Sequence, residues 1–443
     1  MSPKRRRLFL LSALVLALPL GVASMSSFVR PGVATPVTNP ADFRAFACAA
    51  RVLATGGDPY RTEPLRGCEQ AAARAFGLQM FDGLVLPAPL PPYALALFAP
   101  LGLLPFPAAS LLWFVISIAA VALGSIALVR LGGLPVGVAV LAMLGAAGYV
   151  SLPLGQIVPL IVALLCGAAL ALRSGRVATA AVLCALTTIE PHVGLPACLA
   201  LFVCEARARR ALLACAVVAL AASLWLAGPA VCLEYVRDVL PAHARSQVGQ
   251  FGVQYSLTAL LYALGADGGA ALAAGSLSYV AMVAAGIVLA RVLAARYDDA
   301  AFVVLLPPAF ALVLGTFVHL AQIAVAVPAV ALLIAHARAG GPRRLAYAAL
   351  FALAVPWGAI ADTGTFSALL WPHAAAPRHV ALPASDAGAL AEQTESDFMA
   401  GGGYGSSGGS VLENIAVKFP TWAALLALVG VSAGMLPRAR RAA

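Results

Sequence analysis

Long apolar runs follow one another along most of this chain, and they decide what it can fold into. Several of them approach the ~20 residues that a helix needs to cross a bilayer. A helix also satisfies its own backbone hydrogen bonds, which the bilayer core requires. The chain is 62% hydrophobic and 10% charged, whereas a soluble domain carries roughly 25% charged residues. The sequence therefore predicts an all-α polytopic membrane protein, with residues 1–443 as a single integral membrane domain.

The apolar runs predict about twelve transmembrane helices. The first run follows a basic cluster that begins at Lys4 and also resembles a signal peptide, but the many later runs favour an uncleaved first helix. The fifth and sixth runs are short enough to form a hairpin that does not fully cross. The predicted spans are residues 8–27, 107–129, 134–150, 155–172, 177–189, 191–204, 211–229, 270–291, 300–314, 318–335, 345–361 and 420–436.

The basic residues orient these predicted helices. Eighteen of the 28 basic residues, but only three of the 18 acidic ones, fall in residues 1–7, 130–133, 173–176, 205–210, 292–299, 336–344 and 437–443, with Arg291 at an edge. Cytoplasmic loops carry such an excess, so both termini are predicted to be cytoplasmic. In a bacterium the protein would lie in the inner (cytoplasmic) membrane. Three outer segments would then be periplasmic, namely residues 26–92, 230–269 and 362–419.

Neither the basic charge nor the cysteines indicate a nucleic-acid or metal site. The arginines occur in short clusters between apolar runs, as orientation signals do, so no nucleic-acid partner is expected. The eight cysteines show no metal-binding spacing, and no His/Asp cluster at ligand spacing is visible. No metal or cofactor is therefore expected. Cys48 and Cys68 share the first outer segment and could pair in an oxidising compartment or remain free.

Six short motifs occur in order and carry a resemblance to a known family. They are Asp42 with Gly57-Asp58-Pro59-Tyr60, Pro91-Pro92-Tyr93 leading to Trp113, Gly155-Gln156-Ile157, Glu190-Pro191-His192, Gln254-Tyr255-Ser256-Leu257, and Gly315-Thr316-Phe317-Val318-His319. With these motifs the chain resembles glycosyltransferase family 87, the polyprenol-phosphate-mannose-dependent α-mannosyltransferases, whose fold is of the multi-spanning GT-C type. It departs from the family pattern at Glu190, where Lys is usual, and at Leu90, where Tyr is more frequent.

The resemblance implies that a hexose is transferred with inversion, and mannose is the hexose most expected. The donor would be a polyprenyl-phosphate sugar, which is a substrate and not a cofactor. The acceptor would be a glycolipid, a polysaccharide or a protein at the outer face, and membrane lipids would surround the site. Asp42 takes the position of the family's general base, which removes the acceptor hydroxyl proton. Because Asp42 precedes a good helix start, it could instead be an N-cap, or serve as both.

Two further residues of the first outer segment are candidates for the site. Asp58 is the alternative base, although the Gly-Gly-Asp-Pro sequence around it is also typical of a turn. Tyr60 either lines the site or is an aromatic residue of the membrane interface. A carboxylate-bearing segment directly after the first predicted helix indicates chemistry at the outer membrane face.

The remaining candidates lie further along the chain and are predicted to bind substrate. Glu190 and His192 adjoin a helix break, where they could line a cavity or simply reach the outer water. His319 could hold the donor phosphate or the acceptor, or only pack at a helix end. The polar second outer segment could bind phosphate or be a solvated loop. The substrate-binding set is therefore His319, Asp58, Tyr60, Gln156, Glu190, His192, Arg245, Gln254 and Ser256.

Two other classes of function fit parts of the same pattern. A transporter or flippase for lipid-linked sugars would carry ionisable residues along its spans, whereas here they cluster at the outer face. A non-catalytic protein of cell-envelope assembly, derived from an enzyme that lost its activity, would show the same motifs. The Glu190 departure keeps this second alternative open.

Overall fold

The computed structural model describes residues 40–76, 85–357, 360, 388–400 and 411–436. In these residues the chain is helical apart from short connections and two isolated β-bridges, which confirms the prediction of an all-α protein for the part described. The α-helices, numbered in chain order, are α1 Ala41–Ala54, α2 Thr62–Arg74, α3 Pro92–Gly102, α4 Phe106–Gly132, α5 Val136–Met143, α6 Tyr149–Leu154, α7 Val158–Arg173, α8 Val177–Leu186, α9 Pro191–Cys204, α10 Arg209–Leu226, α11 Gly228–Glu234, α12 Leu240–Val248, α13 Leu257–Ala263, α14 Gly268–Tyr297, α15 Ala301–Ala311, α16 Ala326–His336, α17 Gly341–Ala354, α18 Ala391–Ala400 and α19 Val411–Gly434.

Among the described residues, four helices are long and apolar enough to cross a membrane. They are α4, α10 with the short turn before it, α14 and α19. Several other predicted spans fold as apolar helices of 10–17 residues, such as α7, α9 and α15. The first predicted span, residues 8–27, lies outside the described residues. Membrane character is thus supported by the structure, while the number of twelve crossings stays a prediction.

The apolar surface of the protein is divided between a buried centre and an exposed periphery. Every residue of α15 is buried. By contrast, α10 and α14 expose large apolar side chains, with Trp225 84% and Leu277 73% exposed. Extended apolar surface of this kind marks contact with a membrane or a partner rather than with water. The two helices therefore belong to the lipid-facing layer.

The first outer segment contains helices in its described residues, 40–76 and 85–92. It contains α1 and α2, and α3 follows directly after it. Eight consecutive residues of α1, Phe43–Ala50, are buried. The backbones of α1 and α3 approach so closely that a Cβ at Gly102 would lie 2.6 Å from the Ala47 carbonyl oxygen. The segment is therefore a packed part of the protein that can hold a side chain in a fixed place.

Two cross-links join α1 to α2. Cys48 and Cys68 form a disulfide, so the pairing that the sequence left open does occur. Beside it, the Arg44 guanidinium lies 3.8 Å from the buried Glu69 carboxylate. Disulfides persist mainly outside the reducing cytoplasm, and this pair therefore agrees with the predicted outer location of the segment.

The second and third outer segments fold against the first. The Tyr60 carbonyl accepts a hydrogen bond from the Ala391 amide at 2.9 Å, and the Ala389 carbonyl accepts one from the Thr62 amide at 2.8 Å. These bonds hold the start of α18 on the first segment. In the second segment, which forms α11 to α13, the Tyr235 hydroxyl donates to the Pro89 carbonyl of the first segment at 3.2 Å. All three segments therefore meet at one end of the helix bundle.

The opposite end of the bundle carries a separate ionic cluster. Asp299 accepts from Arg173 Nε at 2.8 Å and lies 2.7 Å from His336 Nε2. Helix α7, with its 16 residues, is about 24 Å long, and Arg173 ends it on the side that the basic residues assign to the cytoplasm. The two polar ends are thus separated by roughly the thickness of a bilayer core.

Candidate active site

Asp42 lies in the first turn of α1 and points toward a neighbouring turn. Helix α1 begins at Ala41, its N-cap position is Pro40, and no side chain caps it. The interpretation of Asp42 as an N-cap is therefore wrong. Its carboxylate instead accepts a hydrogen bond from the Gln156 side-chain amide. In the first turn the carboxylate is also favoured by the positive end of the helix dipole.

A glycine turn places Gln156 next to Asp42. Helix α6 ends at Leu154, and the following Gly155 adopts a left-handed conformation with φ of 71°. A Cβ at this glycine would lie 2.6 Å from Cβ of Phe43, so no other residue fits here without displacing α1. The Gly155 carbonyl accepts a hydrogen bond from Trp113 Nε1 at 2.8 Å, and the Trp113 ring stacks on Phe43 at 5.3 Å. The motifs at positions 42, 113 and 155 are thus brought together at one place in the fold.

Compared with water, the surroundings of Asp42 favour the protonated, uncharged form of its carboxyl group. Burial raises the pKa of Asp42 to about 7, against the smaller lowering effects of the Gln156 hydrogen bond and the Arg44 charge. General bases work best when their pKa lies near the operating pH. The pKa of Asp42 therefore lies in the range that suits a base at neutral pH.

A second cluster is centred on Gln322, a polar residue inside an apolar run. Its side-chain nitrogen lies 2.5 Å from Glu190 Oε1 and 2.7 Å from His192 Nε2, and its oxygen accepts from the His319 amide at 2.8 Å. Gln322 is 3% exposed. One buried side chain therefore joins the predicted residues Glu190, His192 and His319.

A third cluster lies between α12 and α18. Glu392 Oε2 is 3.1 Å from His243 Nδ1, and Glu395 follows one turn later on α18. One ligand-type atom from each of these three residues lies within 4.8 Å of the others. Burial would lower the pKa of His243, but the Glu392 carboxylate outweighs burial and raises it. Burial also raises the pKa of Glu395 to about 7, with Glu392 adding to the effect.

The three clusters lie close enough to influence one another. The His243 ring lies 6.4 Å from the ring of Phe317, two residues before His319. The charge of Asp42 contributes to the raised pKa of Glu395. We therefore treat the clusters as one site, here called the outer site, formed by Asp42, Gln156, Glu190, His192, His243, His319, Gln322, Glu392 and Glu395.

Asp58 and Tyr60 form part of the scaffold beside the outer site. Asp58 Oδ1 accepts from the Tyr60 amide at 3.0 Å, and its other oxygen lies 3.4 Å from Arg61 Nε. This agrees with the interpretation of Asp58 as a turn residue. The Tyr60 hydroxyl donates to the Leu90 carbonyl at 2.8 Å, while its backbone holds α18. Tyr60 therefore fixes the position of α18 and does not line the site.

Of the three residues predicted in the second outer segment, one is exposed and two are bonded within the fold. Arg245 is exposed on α12. Gln254 is fully buried, donates to Gln247 Oε1 at 2.8 Å and accepts from the Ser256 hydroxyl at 2.9 Å. Ser256 in turn caps α13 by accepting from the Ala259 amide. The polar atoms of Gln254 and Ser256 therefore bond within the fold and do not face substrate. Gln254 also forms an isolated β-bridge with His319.

Four members of the outer site were missed from the sequence. Gln322 gave a usable signal, since a buried polar residue inside an apolar run usually faces a functional cavity. His243, Glu392 and Glu395 gave none, because they lie in polar segments where such residues are ordinary. Their approach depends on how α18 docks on the first outer segment.

A comparison with protein families identifies the family of this chain. The family model of glycosyltransferase family 87 matches residues 90–314, just over half of the chain. The chain belongs to glycosyltransferase family 87. The resemblance expected from the motifs is thereby confirmed. Neither the curated proteins nor the solved structures contain a match.

The match to glycosyltransferase family 87 covers part of the outer site. Gln156, Glu190, His192 and His243 fall inside the matched residues, whereas Asp42 and His319 lie outside them. The family shows that the protein is a glycosyltransferase, with a sugar donor and an acceptor as its substrates.

Proposed function

We propose that this protein is an inverting hexosyltransferase of the GT-C type. It would take a hexose, with mannose preferred, from a polyprenyl-phosphate donor at the periplasmic face. The observation that carries the proposal is the placement of Asp42. This partly buried carboxylate accepts a hydrogen bond from Gln156 and lies beside a cluster of histidine and amide side chains. The protein that contains it is a glycosyltransferase. Such a carboxylate meets the geometric and proton-affinity requirements of a general base.

The chemistry needs one base and no acid. The acceptor hydroxyl oxygen attacks the anomeric carbon and forms the new glycosidic bond, while the bond from that carbon to the phosphate oxygen breaks. The hydroxyl proton passes to Asp42, and polyprenyl phosphate leaves as an anion that needs no proton. A single carboxylate is sufficient, unlike the pair required for glycoside hydrolysis. The His319 imidazole would donate a hydrogen bond to the phosphate or the acceptor.

The two helices that run between the ends of the bundle favour an enzyme over a transporter. No acidic or basic residue occurs between Gln156 and Arg173, or between Gln322 and His336. A proton- or ion-coupled transporter needs such groups along its pathway. The ionic cluster around Asp299 at the other end is closed by its own partners. The polar groups of the outer site are therefore confined to one face.

The direct test is transfer of a radiolabelled hexose by the purified protein. Short-chain prenyl-phosphate mannose and glucose are compared with the corresponding nucleotide sugars, each with a membrane glycolipid extract as acceptor. The proposal expects transfer from a prenyl-phosphate donor, with mannose preferred. Transfer from nucleotide sugars alone would contradict it.

The outer location of the site gives a prediction for chemical labelling. With the six unpaired cysteines replaced, new cysteines are introduced at Ala54 and Gly341, which are both exposed and lie near opposite ends of the bundle. A membrane-impermeant maleimide should label Ala54→Cys in spheroplasts, and Gly341→Cys only after lysis. The reverse pattern would show an inverted topology and exclude a periplasmic enzyme.

The raised pKa of Asp42 gives a prediction for the pH profile. Because the base must be deprotonated in the free enzyme, kcat/KM should rise with pH and level off above about 7. The charged groups that face Asp42 are Arg44 and Glu395. The Gln156 hydrogen bond lowers the pKa, so Gln156→Leu should move the midpoint to higher pH. An unchanged midpoint in that variant would argue against Asp42 as the titrating group.

A further inference from the structure

His243, Glu392 and Glu395 are brought together by two helices from different outer segments. Nδ1 of His243 on α12 lies 3.1 Å from Oε2 of Glu392 on α18, and Glu395 lies one turn further along α18. Their ligand-type atoms all fall within 4.8 Å of one another. None of the three side chains has a part in the proposed transfer of the proton.

The positions of these side chains are fixed by bonds elsewhere on α18. The Ala391 amide donates to the Tyr60 carbonyl, next to Glu392. Between the two glutamates, the Thr394 hydroxyl donates to the Val85 carbonyl at 2.7 Å and accepts from the Val85 amide. The helix therefore turns both carboxylates toward α12 without relying on contact between them.

The cluster is incompletely satisfied within the described part of the chain. Glu392 is 3% exposed, yet its Oε1 atom is buried and has no hydrogen-bond partner there. Leaving such a group unpaired is costly, more so when it is charged. Two carboxylates one turn apart on a helix also repel each other. Both costs disappear if a cation lies between the carboxylates and the imidazole.

A comparison within the same molecule shows what is missing. At the opposite end, the Asp299 carboxylate also meets a histidine, His336, but there the Arg173 guanidinium lies 2.5 Å from Asp299 Oδ2 and supplies the positive charge. Around Glu392, by contrast, the described residues supply a second carboxylate, that of Glu395, and no guanidinium within ion-pair distance. The arrangement at α18 thus has the ligands of a cation site and lacks the arginine that completes the other cluster.

We propose that His243, Glu392 and Glu395 bind a divalent transition-metal ion of the Zn²⁺ or Mn²⁺ type. One imidazole and two carboxylates match the ligands that these ions take in proteins, whereas Mg²⁺ and Ca²⁺ prefer oxygen ligands alone. The ion would join the third outer segment to the second beside Asp42. The expectation of a metal-free protein was based on spacing along the sequence, which cannot reveal ligands that the fold assembles.

The test measures binding and does not depend on transferase activity. The full-length protein in detergent is stripped with a chelator, and Zn²⁺, Mn²⁺, Mg²⁺ and Ca²⁺ are added separately. Bound metal is counted by elemental analysis after gel filtration, and the thermal unfolding midpoint is recorded. We expect one equivalent of Zn²⁺ or Mn²⁺ per chain with a higher midpoint, as binding to the folded state requires, and weak or no binding of Mg²⁺ and Ca²⁺.

Variants assign the bound ion to this site. Glu395→Gln, and the double variant Glu392→Gln with Glu395→Gln, should abolish both the bound equivalent and the rise in the midpoint. Glutamine at position 392 can still accept from His243, so these variants keep that contact. The matched control is His336→Gln, which alters the other histidine–carboxylate pair and should bind as the wild type does.

Two results would overturn the proposal. One is the absence of a bound equivalent of any of the four ions in the wild-type protein at a free concentration well above the micromolar range. The other is binding that persists unchanged in the double variant, since the ion would then lie elsewhere. Neither result bears on hexose transfer, so failure here and failure of the proposed function remain distinguishable.

Discussion

Replacing Asp42 by Asn should lower turnover by about 10²–10⁴-fold, the usual contribution of a general base, while leaving the fold intact. Asparagine has the same size, and its side-chain oxygen can still accept the hydrogen bond that Gln156 donates to Asp42. It cannot take the acceptor proton. The measurement is kcat for hexose transfer from a prenyl-phosphate donor, together with the thermal unfolding midpoint.

Asp58→Asn is the matched control for this substitution. Asp58 lies in the same outer segment, but its carboxylate serves a turn and an ion pair with Arg61, where Asn is a good replacement. Its turnover should stay close to that of the wild type. Near-normal turnover in Asp42→Asn would refute the assignment of the base. Loss of turnover in Asp58→Asn alone would keep the enzyme and move the base along the segment.

Replacing Gln322 by Leu should have the second-largest effect. Leucine fills a similar volume but removes the contacts to Glu190 and His192 and leaves the part-buried His319 amide without its acceptor. Each unsatisfied buried group costs about 1–3 kcal/mol, so the unfolding midpoint should fall. Turnover should fall by up to about 10²-fold, the cost of misplacing a positioning group by ~1 Å.

Gln250→Leu is the matched control for Gln322→Leu. Gln250 is also buried, at 5% exposure, but its side-chain nitrogen has no hydrogen-bond partner among the described residues. Its replacement by an apolar side chain should therefore be nearly neutral or stabilising. If both variants behaved alike in turnover and in unfolding midpoint, Gln322 would not be the residue that organises the cluster.

Part of the site was accessible from sequence because it follows local patterns. A carboxylate at position 42, directly before an amphipathic stretch, indicated a residue at the start of a helix, and α1 does begin at Ala41. The break at Glu190 was visible as a Pro-containing interruption between two short apolar runs, and the structure ends α8 and starts α9 around it. Helix boundaries of this kind depend on neighbouring residues alone.

Interpretations that depended on polarity alone were less successful. The described parts of residues 26–92 and 230–269 contain several helices, and eight consecutive residues of α1 are buried. Gln254 and Ser256 were assigned to substrate for their polar side chains, yet both are buried and bonded to the fold. A polar residue in a connecting segment can equally well bind a ligand or its own backbone, and sequence does not separate the two.

By itself, the sequence determined that this is a helical membrane protein of glycosyltransferase family 87 with most of its carboxylates outside the basic connecting segments. Hydropathy, charge distribution and short motifs suffice for this, since each is a property of a continuous stretch of chain. The tertiary structure alone decided which side chains meet. Asp42 and Gln156 are 114 residues apart, Glu190 and Gln322 are 132 apart, and His243 and Glu392 are 149 apart. Such contacts depend on how separate helices pack, and no local pattern records that packing.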